Sequence, residues 1–195
     1  MNTKELKLLL TLITLIMFPV LGTSFTISKP KVLYDRSANV ILVMLFIEKP
    51  SQKNLSEMIR KNLDVSMLVE VKLMRKDFGI LNIQTEITNV ILEYKLSYDL
   101  VTERYTVHNP YTFKSYESLE SLFELFYPLL VKIDLHELKG NPDFEEIYET
   151  TEFFISSRAK IIYMNVKPPL NIIVSLIGLG NYESEVAVSD MFKIK

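Results

Sequence analysis

Few residues of this chain have the types and spacing that chemistry requires, and the two histidines come first. His108 and His136 are the imidazoles of a 195-residue sequence that contains no cysteine. Asp134 precedes His136 by two residues, so on a strand both side chains would share a face and could bind a metal ion. A zinc site needs further protein ligands, and the neighbouring sequence supplies neither a third ligand nor HExxH spacing. We therefore expect surface histidines, no metal site and no cofactor.

Other catalytic patterns are also missing from the sequence. It has no GxSxG elbow, and Gly178-Leu179-Gly180 is too short to form a phosphate-binding loop. Because the chain has no cysteine, thiolate metal sites, cysteine nucleophiles and disulfides are excluded. These observations favour a non-enzymatic protein, and an active site assembled from distant positions is the alternative.

Acidic side chains are concentrated in one part of the chain. Residues 117–152 hold ten acidic and two basic side chains, whereas the whole chain has a net charge of −2. A calcium site at Asn141 and the carboxylates that follow it lacks the EF-hand spacing. A solvated helix face followed by an acidic loop is the plainer alternative. We predict an acidic docking surface for a basic partner, formed by Glu117, Glu120, Glu124, Asp143, Glu145 and Glu146.

Aromatic side chains cluster between residues 94 and 127. Strands favour tyrosine and phenylalanine for packing alone, and Tyr94 and Tyr98 lie on the apolar face of their predicted strand, which places them in the core. An aromatic-lined ligand groove is the alternative. The cluster comprises Tyr94, Tyr98, Tyr105, Tyr111, Phe113, Tyr116, Phe123, Phe126 and Tyr127.

The elements that must position these residues are mostly strands. Apolar residues alternate with polar ones, or form a continuous run, as strands require. Such segments span residues 38–48, 65–73, 90–98, 153–163 and 186–194. A turn is expected at residues 35–39, a hairpin over 99–104, and an irregular crossing over 167–179.

Two helices are expected among the strands. Ser51 is predicted to be the N-cap of the first helix and Ser115 that of the second, which Pro128 ends. Each helix has an apolar face, made by Leu55, Met58, Ile59 and Leu63 in the first and by Leu119, Leu122, Phe123 and Phe126 in the second. The pattern predicts a mainly β (α+β) fold, a single antiparallel β-sandwich-like domain with two surface helices.

The N-terminal segment predicts export. Lys4 and Lys7 precede the apolar run 8–18, Pro19 interrupts it, and small residues follow at 22–24, which is the layout of a signal peptide. We predict a signal peptide or N-terminal anchor over residues 1–24 and a single β-rich envelope domain over 25–195. The protein would be periplasmic, or tethered to the inner membrane by residues 6–21 if the segment is not cleaved.

The segments Val69-Glu70-Val71-Lys72-Leu73 and 94–107 carry a family resemblance. They resemble an uncharacterised family of exported bacterial proteins, domain of unknown function 4390, which is also similar at residues 115–125 and at Lys167-Pro168-Pro169-Leu170. Members of that family are rich in tryptophan, and this chain has none. The resemblance implies an envelope protein and supplies no catalytic residue.

Composition narrows the function further. With 48% hydrophobic and 24% charged residues, the chain is not of a disordered class, and its near-neutral charge gives no reason to expect nucleic acid. Our hypothesis is a non-enzymatic protein-interaction domain whose partner is another envelope protein. The alternative is a carrier or sensor of a small apolar ligand or lipid. An open sheet edge would favour the first hypothesis, and an apolar pocket the second.

Overall fold

A computed structural model of the protein describes residues 25–50, 53–61, 65–76, 84–138, 151–163 and 181–194. These residues form ten strands, two short α-helices and two 3-10 turns. The strands are β1 Lys31–Asp35, β2 Val40–Leu45, β3 Val65–Lys76, β4 Gln84–Asp99, β5 Arg104–Asn109, β6 Thr112–Tyr116, β7 Leu129–Asp134, β8 Phe153–Tyr163, β9 Asn181–Glu183 and β10 Ala187–Val188. The helices are α1 Lys53–Arg60 and α2 Leu119–Phe123, and the 3-10 turns are Glu124–Phe126 and Leu135–Leu138.

The strands form two sheets. The small sheet has the order β1-β2-β7, and the large sheet has the order β10-β8-β3-β4-β5-β6, with β9 also paired to β8. Every strand pair is antiparallel. The predicted fold class is therefore confirmed: the protein is mainly β, with antiparallel sheets arranged as in a β-sandwich and two short helices beside them.

The core lies between the two sheets. Side chains that alternate along β3 from Val65 to Leu73 are buried, as are those of Phe153, Ile155 and Ile161 on β8. They belong to one cluster that also contains Val43 of the small sheet. The opposite face of the large sheet, here called the outer face, is only partly covered on β3. Alternating burial of this kind follows from the two-residue period of a strand.

Helix α1 rests on the large sheet. Leu55 and Ile59 are fully buried, which confirms the predicted apolar face where it is described. On the polar side, the hydroxyl of Tyr105 lies 2.6 Å from Ser56 Oγ and accepts a hydrogen bond of 3.0 Å from Arg60 Nε. The Arg60 guanidinium also lies over the ring of Tyr98, 4.9 Å from its centroid. These contacts hold the helix against β4 and β5.

Helix α2 begins later than the sequence predicted. Ser115 lies in β6 rather than at a helix start. The N-cap is Ser118, whose hydroxyl accepts a hydrogen bond from the backbone N–H of Ser121 at 3.1 Å. The prediction was wrong because both serines precede the apolar stripe, and β6 needs Ser115 for its pairing with Thr106. The stripe itself is buried as predicted, at Leu119, Leu122, Phe123 and Phe126.

The C-terminal strand also differs from the prediction. The structure places only Ala187–Val188 in a strand, and Val186 and Val188 are exposed instead of buried. Serine hydroxyls take the place of the expected ladder: Ser184 Oγ accepts from the backbone N–H of Ala159 at 3.0 Å, and Ser189 Oγ accepts from that of Ile155 at 2.9 Å. Two buried side chains of this segment are thus polar, which an apolar pattern cannot reveal, whereas Ile194 is buried as the pattern predicted.

Several predictions lie outside the described residues. These are the signal segment 1–24, the N-cap Ser51, most of the acidic loop including Asn141, and the crossing over 167–179. Within the ranges that the structure does describe, no helix is both long and apolar enough to cross a membrane.

Candidate binding groove

The longest strand of the large sheet has one open edge. β4 runs from Gln84 to Asp99, and β3 pairs with it from Gln84 to Leu96. On the other edge, β5 pairs only from Lys95 to Asp99. Among the described residues, no strand pairs with residues 86–93 on that edge. Backbone N–H and C=O groups of an open edge are available for another strand.

The turn between β5 and β6 closes one end of this open edge. The two strands are joined by Pro110 and Tyr111, and the pair Asn109 and Thr112 is the last of their ladder. Asn109 Oδ1 accepts a hydrogen bond of 3.0 Å from the backbone N–H of Tyr111, a typical way for asparagine to shape a turn. Burial raises the pKa of Tyr94, and a hydrogen bond with Asn109 partly offsets that effect. The turn is therefore fixed by its own asparagine.

A groove lies where the open edge meets the turn. Its volume is about 590 Å³, and it is lined by residues 90–93, Lys95 and residues 108–111. Val90, Ile91 and Leu92 of β4 line it, and so does Tyr111 of the turn. Ile91 is 61% exposed and Tyr111 is 92% exposed, so the groove is open to solvent rather than enclosed.

Charged side chains lie on the outer face beside the groove. Ser66 Oγ donates a hydrogen bond of 3.2 Å to Glu93 Oε1. Lys95 and His108 are direct cross-strand neighbours, and His108 lies next to the ring of Phe113 at 6.4 Å between centroids. The position opposite Lys95 is therefore already occupied, whereas the position opposite Glu93 is not.

A bulge limits the open edge at its far end. The register between β3 and β4 shifts after Leu73, which pairs with Thr88, because Met74 pairs with Glu86. The extra residue on β4 is Ile87. Bulges increase the local twist of a strand, so the regular part of the open edge extends from Thr88 to Glu93.

A second, smaller pocket lies on the outer face of the same sheet. Its volume is about 210 Å³. Its charged side chains are already paired: Lys72 Nζ lies 3.3 Å from Glu70 Oε1, and Arg158 Nη2 lies 3.3 Å from Glu70 Oε2. Arg158 also pairs with Glu183 at 2.8 Å. The charged side chains that line this pocket therefore belong to an ionic network on the sheet. We do not assign a ligand to the pocket.

The network shifts the ionisation of its central carboxyl group. Burial opposes the charged form of Glu70, but the hydrogen bond and charge of Lys72, with Asn89 and Arg158, outweigh burial and hold the pKa of Glu70 below its ordinary value. Hydrogen bonds that Lys72 donates to Glu86 and Glu70 raise the pKa of Lys72. The outer face is therefore stabilised by charges that stay ionised at neutral pH.

A serine–lysine spacing on β8 does not form a catalytic pair. Ser157 and Lys160 have the separation of an SxxK motif, but on a strand they lie on opposite faces. Ser157 is buried, and its hydroxyl donates to the backbone carbonyl of Ala187 at 3.3 Å. Lys160 is partly exposed on the outer face. The hydroxyl and the amine therefore do not meet.

The structure separates the predicted acidic residues into paired and unpaired ones. Glu117 pairs with Arg104 at 3.3 Å, and Glu120 pairs with Lys49. Among the described residues, Glu124 has no ion-pair partner. The other members, Asp143, Glu145 and Glu146, lie outside the described residues. The acidic docking surface stays a prediction.

The histidines lie apart from each other. His136 is exposed in the turn after β7, and its backbone N–H donates to Asp134 Oδ1 at 2.9 Å, which is the first cause of the lowered pKa of Asp134. His108 lines the groove. In the parts of the chain that the structure describes, no group of three or more Asp, Glu or His side chains is arranged to hold a metal ion.

The aromatic cluster divides between core and surface. Tyr94, Tyr105, Phe123 and Phe126 are buried, and Tyr98 packs against the core, in agreement with the predicted core role of the β4 tyrosines. Tyr111 and Phe113 are exposed near the groove. The position of the groove could not be predicted from the sequence, because the groove arises where β5 stops and β4 continues, and residues 84–89 do not have an apolar alternation typical of a strand.

We compared the chain with protein-family models, with curated proteins and with solved structures, and none of the three comparisons found a match. The resemblance to domain of unknown function 4390 accordingly stays a prediction.

Proposed function

We propose that this protein is an exported, non-enzymatic envelope domain that binds another envelope protein by accepting an extended segment at the open edge of β4. Strand addition of this kind uses main-chain hydrogen bonds for affinity and side-chain pockets for specificity. The observation that carries the proposal is the length mismatch between β4 and β5, which leaves residues 88–93 without a partner strand on that edge among the described residues. Membership of the family that the sequence resembles is part of the same proposal.

The composition of this edge supports the proposal over other edges. Natural proteins protect open edges with lysine, proline or very short strands. The other edge strands follow that rule: β1 contains Lys31, β6 contains Lys114 and β7 contains Lys132, while β9 and β10 have three and two residues. Residues 84–93 contain no lysine, arginine or proline. The open edge of β4 is thus the one least protected against pairing.

A carrier of a small apolar ligand is the second candidate, and the groove of about 590 Å³ is the observation in its favour. Ligand sites, however, bury most of the ligand surface. The exposure of Ile91 and Tyr111 shows that this groove does not enclose its contents. A backbone edge also offers hydrogen bonds that an apolar ligand cannot use, so the groove suits a polypeptide better.

The test compares two lysine substitutions at exposed aliphatic residues of edge strands. Ile91→Lys places a charge in the β4 groove, and Leu33→Lys makes the same change on β1, where Leu33 is 56% exposed. Native mass spectrometry is applied to the wild type and both variants, each purified gently from the cells that make the protein. We expect the wild type and Leu33→Lys to carry a stoichiometric second polypeptide that Ile91→Lys lacks.

Two other results would count against the proposal. A polypeptide that stays bound to Ile91→Lys, or is lost from Leu33→Lys, would place the interface elsewhere. A mass excess that corresponds to a lipid or metabolite would make the carrier function the better explanation.

A further inference from the structure

We infer that the segment accepted by β4 is about six residues long, runs antiparallel to β4, and begins with a basic side chain, preferably arginine, that lies between Glu93 and Tyr111. This inference rests on the proposed function and specifies the chemistry of its partner.

The length follows from the two ends of the open edge. The turn at Pro110 and Tyr111 blocks one end, and the bulge at Ile87 twists the strand at the other. The regular edge between them is Thr88 to Glu93. A segment of about six residues, roughly 20 Å when extended, fills that distance.

The direction follows from the sheet. All strand pairs of the large sheet are antiparallel, and antiparallel pairing is somewhat more stable per residue than parallel pairing. An antiparallel segment would continue the path of β5 along β4. Its first residues would then lie beside Tyr111, and its last residues beside Thr88.

The side chains of β4 specify the middle of the segment. Val90 and Leu92 face the core side of the sheet and are half-buried, while Ile91 faces outward. Apolar cross-strand pairs stabilise a sheet, so the residues opposite these three should be apolar. Asn89, which donates a hydrogen bond of 3.1 Å to Glu70 Oε1, favours a polar residue at the next outward position.

The charge at the start of the segment follows from the groove end. Among the described residues, the Glu93 carboxylate has no ion-pair partner, whereas Glu86, the other acid of residues 84–93, pairs with Lys72 at 2.7 Å. Tyr111 also lines the groove, and it belongs to the turn that begins just beyond the pair of Lys95 and His108. A guanidinium can pair with a carboxylate and lie on an aromatic face at once, which an ammonium does less well. Lys95 lies two residues from Glu93 and opposite His108, so its register position is beside β5 and not beside the open part of the edge.

The test uses a displayed library of random seven-residue segments. It is selected against the wild type, against Glu93→Lys, and against Glu124→Lys, which makes the same change at an exposed acid distant from the groove. We expect the wild type and Glu124→Lys to enrich segments with arginine or lysine at the first positions, followed by apolar residues. Glu93→Lys should enrich acidic residues there instead. The best wild-type peptide, resynthesised, should bind Glu93→Gln about two- to fivefold more weakly than wild type.

The outcomes separate this inference from the function on which it rests. If selected peptides require Ile91 but carry the same charges for wild type and Glu93→Lys, the inferred basic residue is contradicted, and the proposed strand addition at β4 is still supported. If the basic residue lies at the end of the segment, the antiparallel direction is wrong. If binding is unaffected by Ile91→Lys, the proposed function itself fails.

Discussion

At the scale of single residues, Glu70 has the largest set of polar contacts on the outer face. Its carboxylate accepts from Asn89 at 3.1 Å and pairs with both Lys72 and Arg158 at 3.3 Å. These partners come from three adjacent strands, so one side chain connects β8, β3 and β4. Networks of this kind contribute more than isolated surface pairs, because the central group is already partly desolvated and held in place.

The lowered pKa of Glu70 predicts how stability depends on pH. Because its pKa is depressed in the folded state, the unfolded chain binds more protons, and stability decreases as pH falls below the ordinary glutamate value of about 4.5. Glu70→Gln should lose about 1 kcal/mol of unfolding free energy at pH 7. Its stability should also change less than that of the wild type between about pH 5 and pH 3. Urea denaturation at several pH values measures both effects.

Glu124→Gln is the matched control, since Glu124 has no ion-pair partner among the described residues. It should follow the pH profile of the wild type, including the contributions of other acids. If Glu70→Gln retains the full acid sensitivity of the wild type, the ionic network does not contribute to stability.

At the scale of elements, two serine side chains attach the C-terminal segment to β8. Ser184 and Ser189 are buried, and their hydroxyls accept from backbone N–H groups that would otherwise be unpaired. Each hydroxyl also donates to the carbonyl of the next residue, at 2.9 Å and 2.7 Å. Both hydroxyls are therefore fully used, which is the condition for burying a polar group without cost.

Removal of these hydroxyls should loosen that attachment. We expect Ser184→Ala and Ser189→Ala each to destabilise the protein by about 1–3 kcal/mol, because a buried N–H loses its acceptor. Hydrogen exchange should accelerate at the amide of Ala159 in the first variant and at that of Ile155 in the second. Ser115→Ala, at an exposed position of β6, should change neither amide. Equal exchange in all variants would contradict the role of the hydroxyls.

Sequence patterns predict some of these elements and not others. The alternation from Val65 to Leu73 and from Phe153 to Ile161 predicts β3, β8 and their buried faces, because a strand with one side in the core must alternate. The length mismatch of β4 and β5 could not be predicted. The mismatch depends on where β5 ends relative to β4 in the sheet, and the sequence pattern of either strand alone does not contain that information. The contacts of Ser184 and Ser189 could not be predicted either. Each hydroxyl accepts a hydrogen bond that a strand carbonyl would otherwise accept, and a polar side chain in this role does not contribute to an apolar pattern.

At the scale of the whole molecule, the 3-10 turn after α2 joins the two sheets. Phe126 is fully buried, and its ring packs edge-on against Tyr94 of the large sheet at 5.0 Å between centroids. Its backbone carbonyl accepts from the N–H of Ile47 at 3.1 Å, just after β2 of the small sheet. Since the residues of both sheets form one core cluster, neither sheet keeps its buried face if the other is removed.

A shared core predicts that the two sheets unfold together. We expect one cooperative transition in denaturant, with the amides of β2 and β3 losing protection at the same concentration. Phe126→Ala should lower the unfolding free energy by about 3–5 kcal/mol and move both sets of amides together, because the ring fills the space between the sheets. Phe113→Ala makes the same truncation at an exposed site and should change stability by less than about 1 kcal/mol. If β2 loses protection well before β3, the sheets are separately stable, and the groove on β4 would then belong to a unit that does not need the small sheet.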